Sequence, residues 1–198
     1  MNLLMTFIQK AIGQGVAILF GATGEIVTEK SGNLNLGIPG IMYMGGISGL
    51  MGAFFYENGR ENPNGFMGLL IALFATLIVS ALGGLIYSFL TIILRANQNV
   101  VGLALTTFGV GFGNFFGGSI SKLAGGFLTH LSVILAVCMT YFLKKTRHGL
   151  NLRAVGENPA TADAAGINVS RYKYVATVTG AAIAGLGGLY FVMEYLGG

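Results

Sequence analysis

Between Phe66 and Leu94 the chain passes through 29 residues without a single charged side chain. In water such a run would have to be enclosed on every side by other protein. A chain of 198 residues with only 9% charge and 54% apolar side chains has too little polar surface to do that. In a bilayer about 20 apolar residues in a helix cross the hydrocarbon, so this run is long enough to span, with length left over for tilt or extension. Similar runs recur along the chain. Leu3 to Gly24 is apolar but broken by Lys10 and Gln14, with Lys10 placed to snorkel to an interface. Ser31 to Tyr56 is uncharged, although Asn33, Asn35, Gly37, Pro39 and Gly40 argue against a regular helix before about Ile41. Val100 to Ile120, Leu123 to Leu143 and Tyr174 to Met193 complete the set. Hydrocarbon leaves backbone polar groups no water, and segments of this length satisfy them as helices. The expected fold is an all-α integral membrane protein, a polytopic bundle of about six transmembrane segments forming one domain over residues 1–198.

The links between these runs are short and carry the charge. With simple alternation, one face receives Lys30, Arg95, Lys144, Lys145, Arg147, Arg153, Arg171 and Lys173, and the other only Arg60 and Lys122. That asymmetry makes the first face cytoplasmic and the N-terminus external, provided that the first segment spans. The net charge of +4 therefore sets orientation, and no nucleic-acid partner is implied. Cys138 stands alone in an apolar run, which excludes a disulfide within the chain and reads as a small core side chain. The first residues lack a basic stretch followed by a cleavage site, so no removable signal peptide is expected.

The long polar island is residues 147–173, RHGLNLRAVGENPATADAAGINVSRYK. Inside it, Asn158 suits a helix cap, Pro159 the first turn and Gly166 a left-handed exit. Ala160, Ala162, Ala164 and Ala165 between them favour a stub of about two turns, too short to be stable alone. From the residues alone two readings stand: a small-faced helix that docks in a cleft of another protein, or an ordinary cytoplasmic loop.

Glycine and small residues recur at four-residue spacing: Gly45 and Gly49, Gly109, Gly113 and Gly117, Ala181 and Gly185, Ala184 and Gly188. Such spacing lets helix backbones approach closely in lipid. Uncharged polar residues lie in or beside the apolar runs: Asn33, Asn35, Asn97, Gln98, Asn99, Thr106, Thr107 and Asn114. They suit either helix–helix hydrogen bonds or a pathway for a neutral, hydrogen-bonding solute, with Gly37 in the irregular stretch beside them. Catalytic chemistry finds no footing. There is no phosphate-binding loop signature, no nucleophile–base pair, and His130 and His148 lack metal-site spacing, so no metal site is expected.

Three blocks carry a family resemblance. TEKSGNLNLGIPGIMYMGG (28–46), GLALTTFGVGFGNFFG (102–117) and LRAVGENPATADAAGINVSRYKY (152–174) resemble the permease subunit of bacterial ATP-binding cassette (ABC) importers. The family is that of the ribose and branched-chain amino acid systems. The nearest branch works with basic membrane lipoprotein-type receptors and takes up nucleosides. The third block is similar to that family's cytoplasmic coupling loop. The resemblance implies a multi-pass protein of the bacterial cell membrane that is not an enzyme and binds no cofactor of its own. ATP and Mg would belong to a separate ATPase subunit. The other implied partners are a second permease subunit, in a homo- or heterodimer, and an extracytoplasmic solute-binding lipoprotein. It further implies that Arg153, Gly156, Glu157, Asn158, Pro159, Asp163, Ala164, Ala165 and Gly166 couple to the ATPase, with Gly156 and Gly166 allowing turns at either end. Asn33, Asn35, Gly37, Asn97, Gln98, Thr106, Thr107 and Asn114 would lie along the solute pathway.

The sequence departs from the family pattern in places. Pro39 stands where Glu is usual, Asn97 where Asp is common, and the link between Ser119 and Phe127 is short. The chain reaches Gly198 soon after the post-coupling span, whereas relatives continue, which is the expectation of a shortened member. Two alternatives to nucleoside transport therefore stay open. One is a degenerate permease kept as a non-transporting assembly subunit; the other is a permease for branched-chain amino acids or simple sugars.

Overall fold

The computed structural model describes residues 3–58, 60, 62–117 and 126–196. It comprises α1 (Leu3–Glu29), α2 (Ile38–Asn58), α3 (Gly65–Ser88), α4 (Gln98–Gly117), α5 (Gly126–Lys145), α6 (Arg147–Glu157), α7 (Pro159–Ala164) and α8 (Val169–Leu196), with no strand among the described residues. A π-helical turn, Phe89–Ile93, continues α3. Among the described residues five helices are long and apolar enough to cross a membrane: α1, α2, α3 with its π turn, α4 and α8. The sixth expected segment corresponds to α5, whose 20 residues begin at Gly126. The short link around Lys122 and the surroundings of Gly117 and His130 lie outside the described residues. The chain is a polytopic helical membrane protein.

Several boundaries differ from the sequence reading because polar residues find partners inside the bundle. α1 continues five residues past Gly24, through a stretch expected to turn. There Glu25 Oε1 accepts from the Asn35 backbone N–H at 2.8 Å, and the Thr28 hydroxyl folds back onto the Gly24 carbonyl at 3.3 Å. α2 begins at Ile38, three residues early, since Asn35 Oδ1 accepts from the Gly37 N–H at 2.9 Å and starts the first turn. α8 begins at Val169, because Asn168 Oδ1 caps it by accepting from Arg171 N–H at 2.9 Å. The largest departure is α6, eleven helical residues in what reads as loop. Thr146 caps it by accepting from the Gly149 N–H at 3.0 Å, and Leu152 and Val155 are buried.

At the end of α3 the Thr91 hydroxyl donates to the Tyr87 carbonyl at 2.8 Å, competing with the helical ladder. The backbone widens by one residue, with Leu94 N–H bonded to the Phe89 carbonyl at 3.1 Å, and Arg95 closes the turn at φ 53°.

α8 is the central helix, packed on α1, α2 and α3, while α2 also meets α4, and α5 packs on α1 and α6. The closest crossings fall on small residues, as their spacing predicts. Gly45 faces Ser80 and Gly185; Gly46 faces Gly188; Gly109 faces Gly40; Gly84 faces Ala181. A crossing that the four-residue patterns did not single out pairs Gly24 of α1 with Gly180 of α8. Phe20, Leu189, Tyr190 and Met193 fill one core cluster, and Ile41, Tyr87 and Leu105 fill another. Large apolar side chains such as Phe55, Phe74, Ile78, Phe108 and Phe115 point outward, as a lipid-facing surface requires. Cys138 belongs with these: it is exposed, not a core side chain as expected, because α5 packs on α1, α6 and α8 with Cys138 turned away from them.

Candidate functional site

The pattern of crossings makes α1 and α3 antiparallel to α8, and α2 and α4 parallel to α2's neighbour α8. The loop 30–37, the end of α3, the starts of α2, α4 and α8, and the α6–α7 segment therefore meet at one end of the bundle. The eight basic residues grouped by the alternation argument sit at this end.

Loop 30–37 is the centre of it. Asn33 and Asn35 are 1% and 2% exposed, very low for amides; Asn33 is bonded through both amide atoms, Asn35 through Oδ1, while its Nδ2 has no partner among the described residues. Asn33 Nδ2 donates to Thr177 Oγ1 of α8 at 3.2 Å, and Asn33 Oδ1 accepts from Gln98 Nε2 of α4 at 3.4 Å. Gln98 Oε1 in turn accepts from the Leu34 N–H at 2.8 Å. The Tyr87 hydroxyl donates to the Leu34 carbonyl, and Thr106 donates to the Leu36 carbonyl at 2.7 Å. Glu25 holds the Asn35 N–H from the α1 side. One loop is thus tied to α1, α3, α4 and α8, so none of those helices can shift at this end without disturbing one of these hydrogen bonds.

The island meets the same loop. A Cβ added to Gly156 would strike the Lys30 carbonyl, and one on Gly32 (φ +83°) would meet Gly156 Cα at 3.3 Å. Gly156 is therefore a contact point inside α6 and does not make the turn expected of it. The turn into α7 is made at Asn158, whose backbone is extended (φ −148°, ψ 92°). Asn158 Oδ1 accepts from the Thr161 N–H at 3.1 Å, Pro159 starts α7, and Gly166 leaves it at φ +80° with no neighbour around it. Ala162 is buried, whereas Pro159, Ala160, Thr161, Asp163, Ala164 and Ala165 are exposed. Arg153 and Glu157 form an exposed ion pair one turn apart at 3.8 Å, which contributes little to stability.

A model of the permease component of branched-chain amino acid transport systems matches residues 7–197. The chain belongs to this family. The permease is 26% identical over 98% of its length to a putative glucose ABC transporter permease protein of Haloferax volcanii. It is 27% identical over 94% of its length to the guanosine ABC transporter permease protein NupQ of Bacillus subtilis. It is 25% identical over 99% of its length to the nucleoside ABC transporter permease protein NupC of Lactococcus lactis. It spans 65%, 67% and 70% of these three relatives' own lengths. No solved structure matches the permease. All three of these relatives are named as transporter permeases.

The residues marked in the permease sequence fall into two groups. Asn33, Asn35, Gly37, Gln98 and Thr106 come together around the loop. Asn97 is exposed and caps α4, its Oδ1 accepting from Asn99 N–H at 3.0 Å and Val100 N–H at 3.3 Å. Thr107 and Asn114 stand apart on the exposed side of α4, seven residues from each other and hence on one helix face. Three members of the network escaped the sequence reading: Glu25, Tyr87 and Thr177. Each lies in or beside an apolar run, and Thr177 and Tyr87 interrupt theirs with a hydroxyl, the same kind of signal that Asn33 gives. Among the described residues no cluster of His, Cys, Asp or Glu could hold a metal ion.

Proposed function

We propose that the permease is the transmembrane component of an ABC importer for nucleosides, driven by a separate ATPase that docks on α7. The observation that carries this is the packing of Gly156 against the Lys30–Gly32 turn. A push on α7 passes through α6 to the turn, and from the turn to Asn33, whose bonds reach α4 and α8. Residues 147–173 act as the coupling segment of a single transmembrane domain over residues 1–198. Arg153, Glu157, Pro159, Asp163, Ala164 and Ala165 offer the docking surface, with Asn158 and Gly166 setting its two ends and Gly156 transmitting the load. ATP and Mg reside on the ATPase. A second permease subunit, identical or related, packs beside α4 and completes the pathway along Thr107 and Asn114. An extracytoplasmic lipoprotein delivers solute to the outer face, and the assembly sits in the bacterial cell membrane.

Nucleosides are favoured because two relatives are named for guanosine or nucleosides. The polar side chains along the proposed pathway are amides and hydroxyls, which match a neutral hydrogen-bonding solute. Affinity purification from gently solubilised membranes tests the coupling. An ATPase should accompany the native chain and be lost from an Asp163→Lys, Ala164→Trp variant, both positions being exposed. Uptake of labelled guanosine by the same cells tests the solute. ATPase recovery without guanosine uptake would leave an assembly subunit, and glucose uptake would make the permease a sugar importer. Failure to recover any ATPase would defeat the coupling assignment.

A further inference from the structure

Beside the α6–α7 segment lies a cavity of about 810 Å³ between α5, α6 and α8, bounded on one side by the turn at Ala165–Asn168. Its lining is divided by chemistry. Arg147 and Arg171 stand at the membrane-surface end, one beginning α6 and the other in the first turn of α8. Both are exposed, no carboxylate lines the cavity, and among the described residues neither guanidinium has an ion-pair partner. In the same lining, the Tyr172 hydroxyl is bonded to Asn151 Nδ2 at 3.0 Å and His148 Nδ1 at 3.1 Å. Below this polar end the wall becomes apolar: Met139 and Phe142 belong to α5, and Val175 lies within the spanning part of α8.

We infer that this cleft binds one anionic phospholipid, its phosphate between Arg147 and Arg171 and the upper part of an acyl chain along Met139, Phe142 and Val175. Two neighbouring cations of one cleft without ion-pair partners favour an anion, and basic pockets between helices at the cytoplasmic surface suit lipid headgroups. A small soluble anion would use the two arginines and leave the apolar wall unmatched. A zwitterionic lipid would fill the wall but bring no net negative charge. Because the turn leaving α7 forms part of the lining, a bound lipid also buttresses that segment. The inference needs the membrane setting and the cleft, and is independent of the solute and of the ATPase.

Native mass spectrometry of the permease, purified as it occurs in its membrane and titrated with dioctanoyl phosphatidylglycerol, counts the bound lipid. One phosphatidylglycerol should bind, while dioctanoyl phosphatidylcholine should bind at least tenfold more weakly. An Arg147→Gln, Arg171→Gln variant should lose about tenfold or more in affinity for phosphatidylglycerol. A Lys144→Gln, Lys145→Gln variant removes the same charge from the same end, but neither lysine lines the cleft, so it should bind as the native chain does. Circular dichroism checks that each variant keeps its helices. If the double arginine variant does not, the single variants decide, each expected to lose about threefold. Equal binding of the two lipids would overturn the inference, as would an equal loss with the lysine variant. Displacement of the lipid by millimolar glycerol phosphate would assign the cleft to a soluble anion. No phosphatidylglycerol bound while partner subunits remain attached, but binding once they are stripped, would assign it to a protein segment.

Discussion

At the scale of single residues, the position that bears most on the coupling reading is Gly156, and its importance comes from what it lacks. The Lys30 carbonyl occupies the space where a β-carbon would stand. Backbone cannot swing aside as a side chain can, so Gly156→Ala must push α6 away from the Lys30–Gly32 turn. The expected cost is about 1–3 kcal/mol of stability, the usual range for overpacking a tight contact. Unfolding by denaturant in mixed micelles would measure it. Gly15→Ala is the internal control: nothing lies within 4 Å of that position, so it should be neutral or slightly stabilising. Equal effects at the two glycines would show that the contact at Gly156 is not tight. The sequence signalled Gly156 by its place in a recognisable block but misread its task. Glycine before Glu-Asn-Pro looks like a turn; it is a close approach to a strand of chain 124 residues away, and no local pattern carries that distance.

At the scale of elements, α7 depends on its cap. Six residues form no stable helix in isolation, so its order rests on Asn158 Oδ1, on the fixed φ of Pro159 and on burial of Ala162. Asn158→Ala removes the first of these, worth about 1 kcal/mol, and should speed hydrogen exchange across α7 about fivefold. Asn158→Asp, which keeps an acceptor, should exchange as the native chain does; an unchanged rate in the alanine variant would mean that packing alone orders α7. Both ends of α7 were legible in the sequence because cap, proline and left-handed glycine act locally. α6 was not. Its glycines and asparagine spoil the helical propensity of residues 147–157, and its stability comes from Leu152 packing on Val27, Leu143 and Ala176 of other helices and from the burial of Val155. The early starts of α2 and α8 were missed for a related reason. Asn35 reads as a helix breaker, yet it begins α2, and Asn168, inside the polar island, caps α8.

At the scale of the whole molecule, the apolar runs and the uneven distribution of charge were enough to give the architecture and to group the loops. Which loops touch was not, since the ties among loop 30–37, α4 and α8 depend on side chains far apart in sequence. The grouping has a direct consequence for labelling. In a Cys138→Ser background, Asn168→Cys should react with a membrane-impermeant maleimide from the cytoplasmic side, and Asn62→Cys from the opposite side only. Reaction of both from one side would break the alternation of spans.

The central helix makes a last point about motion. α8 runs 28 residues without a break from the α7 exit turn, and its close crossings with α1 and α2 set Gly180 against Gly24 and Gly188 against Gly46 and the Met42 backbone. Interlocked side chains work as gear teeth, which must lift clear before one surface moves past another. A glycine crossing has no teeth. It is a plain bearing, tight yet smooth, so the catches that must release before a load near Asn168 slides this rod are elsewhere, in the Asn33–Thr177 bond and the cluster around Phe20 and Leu189.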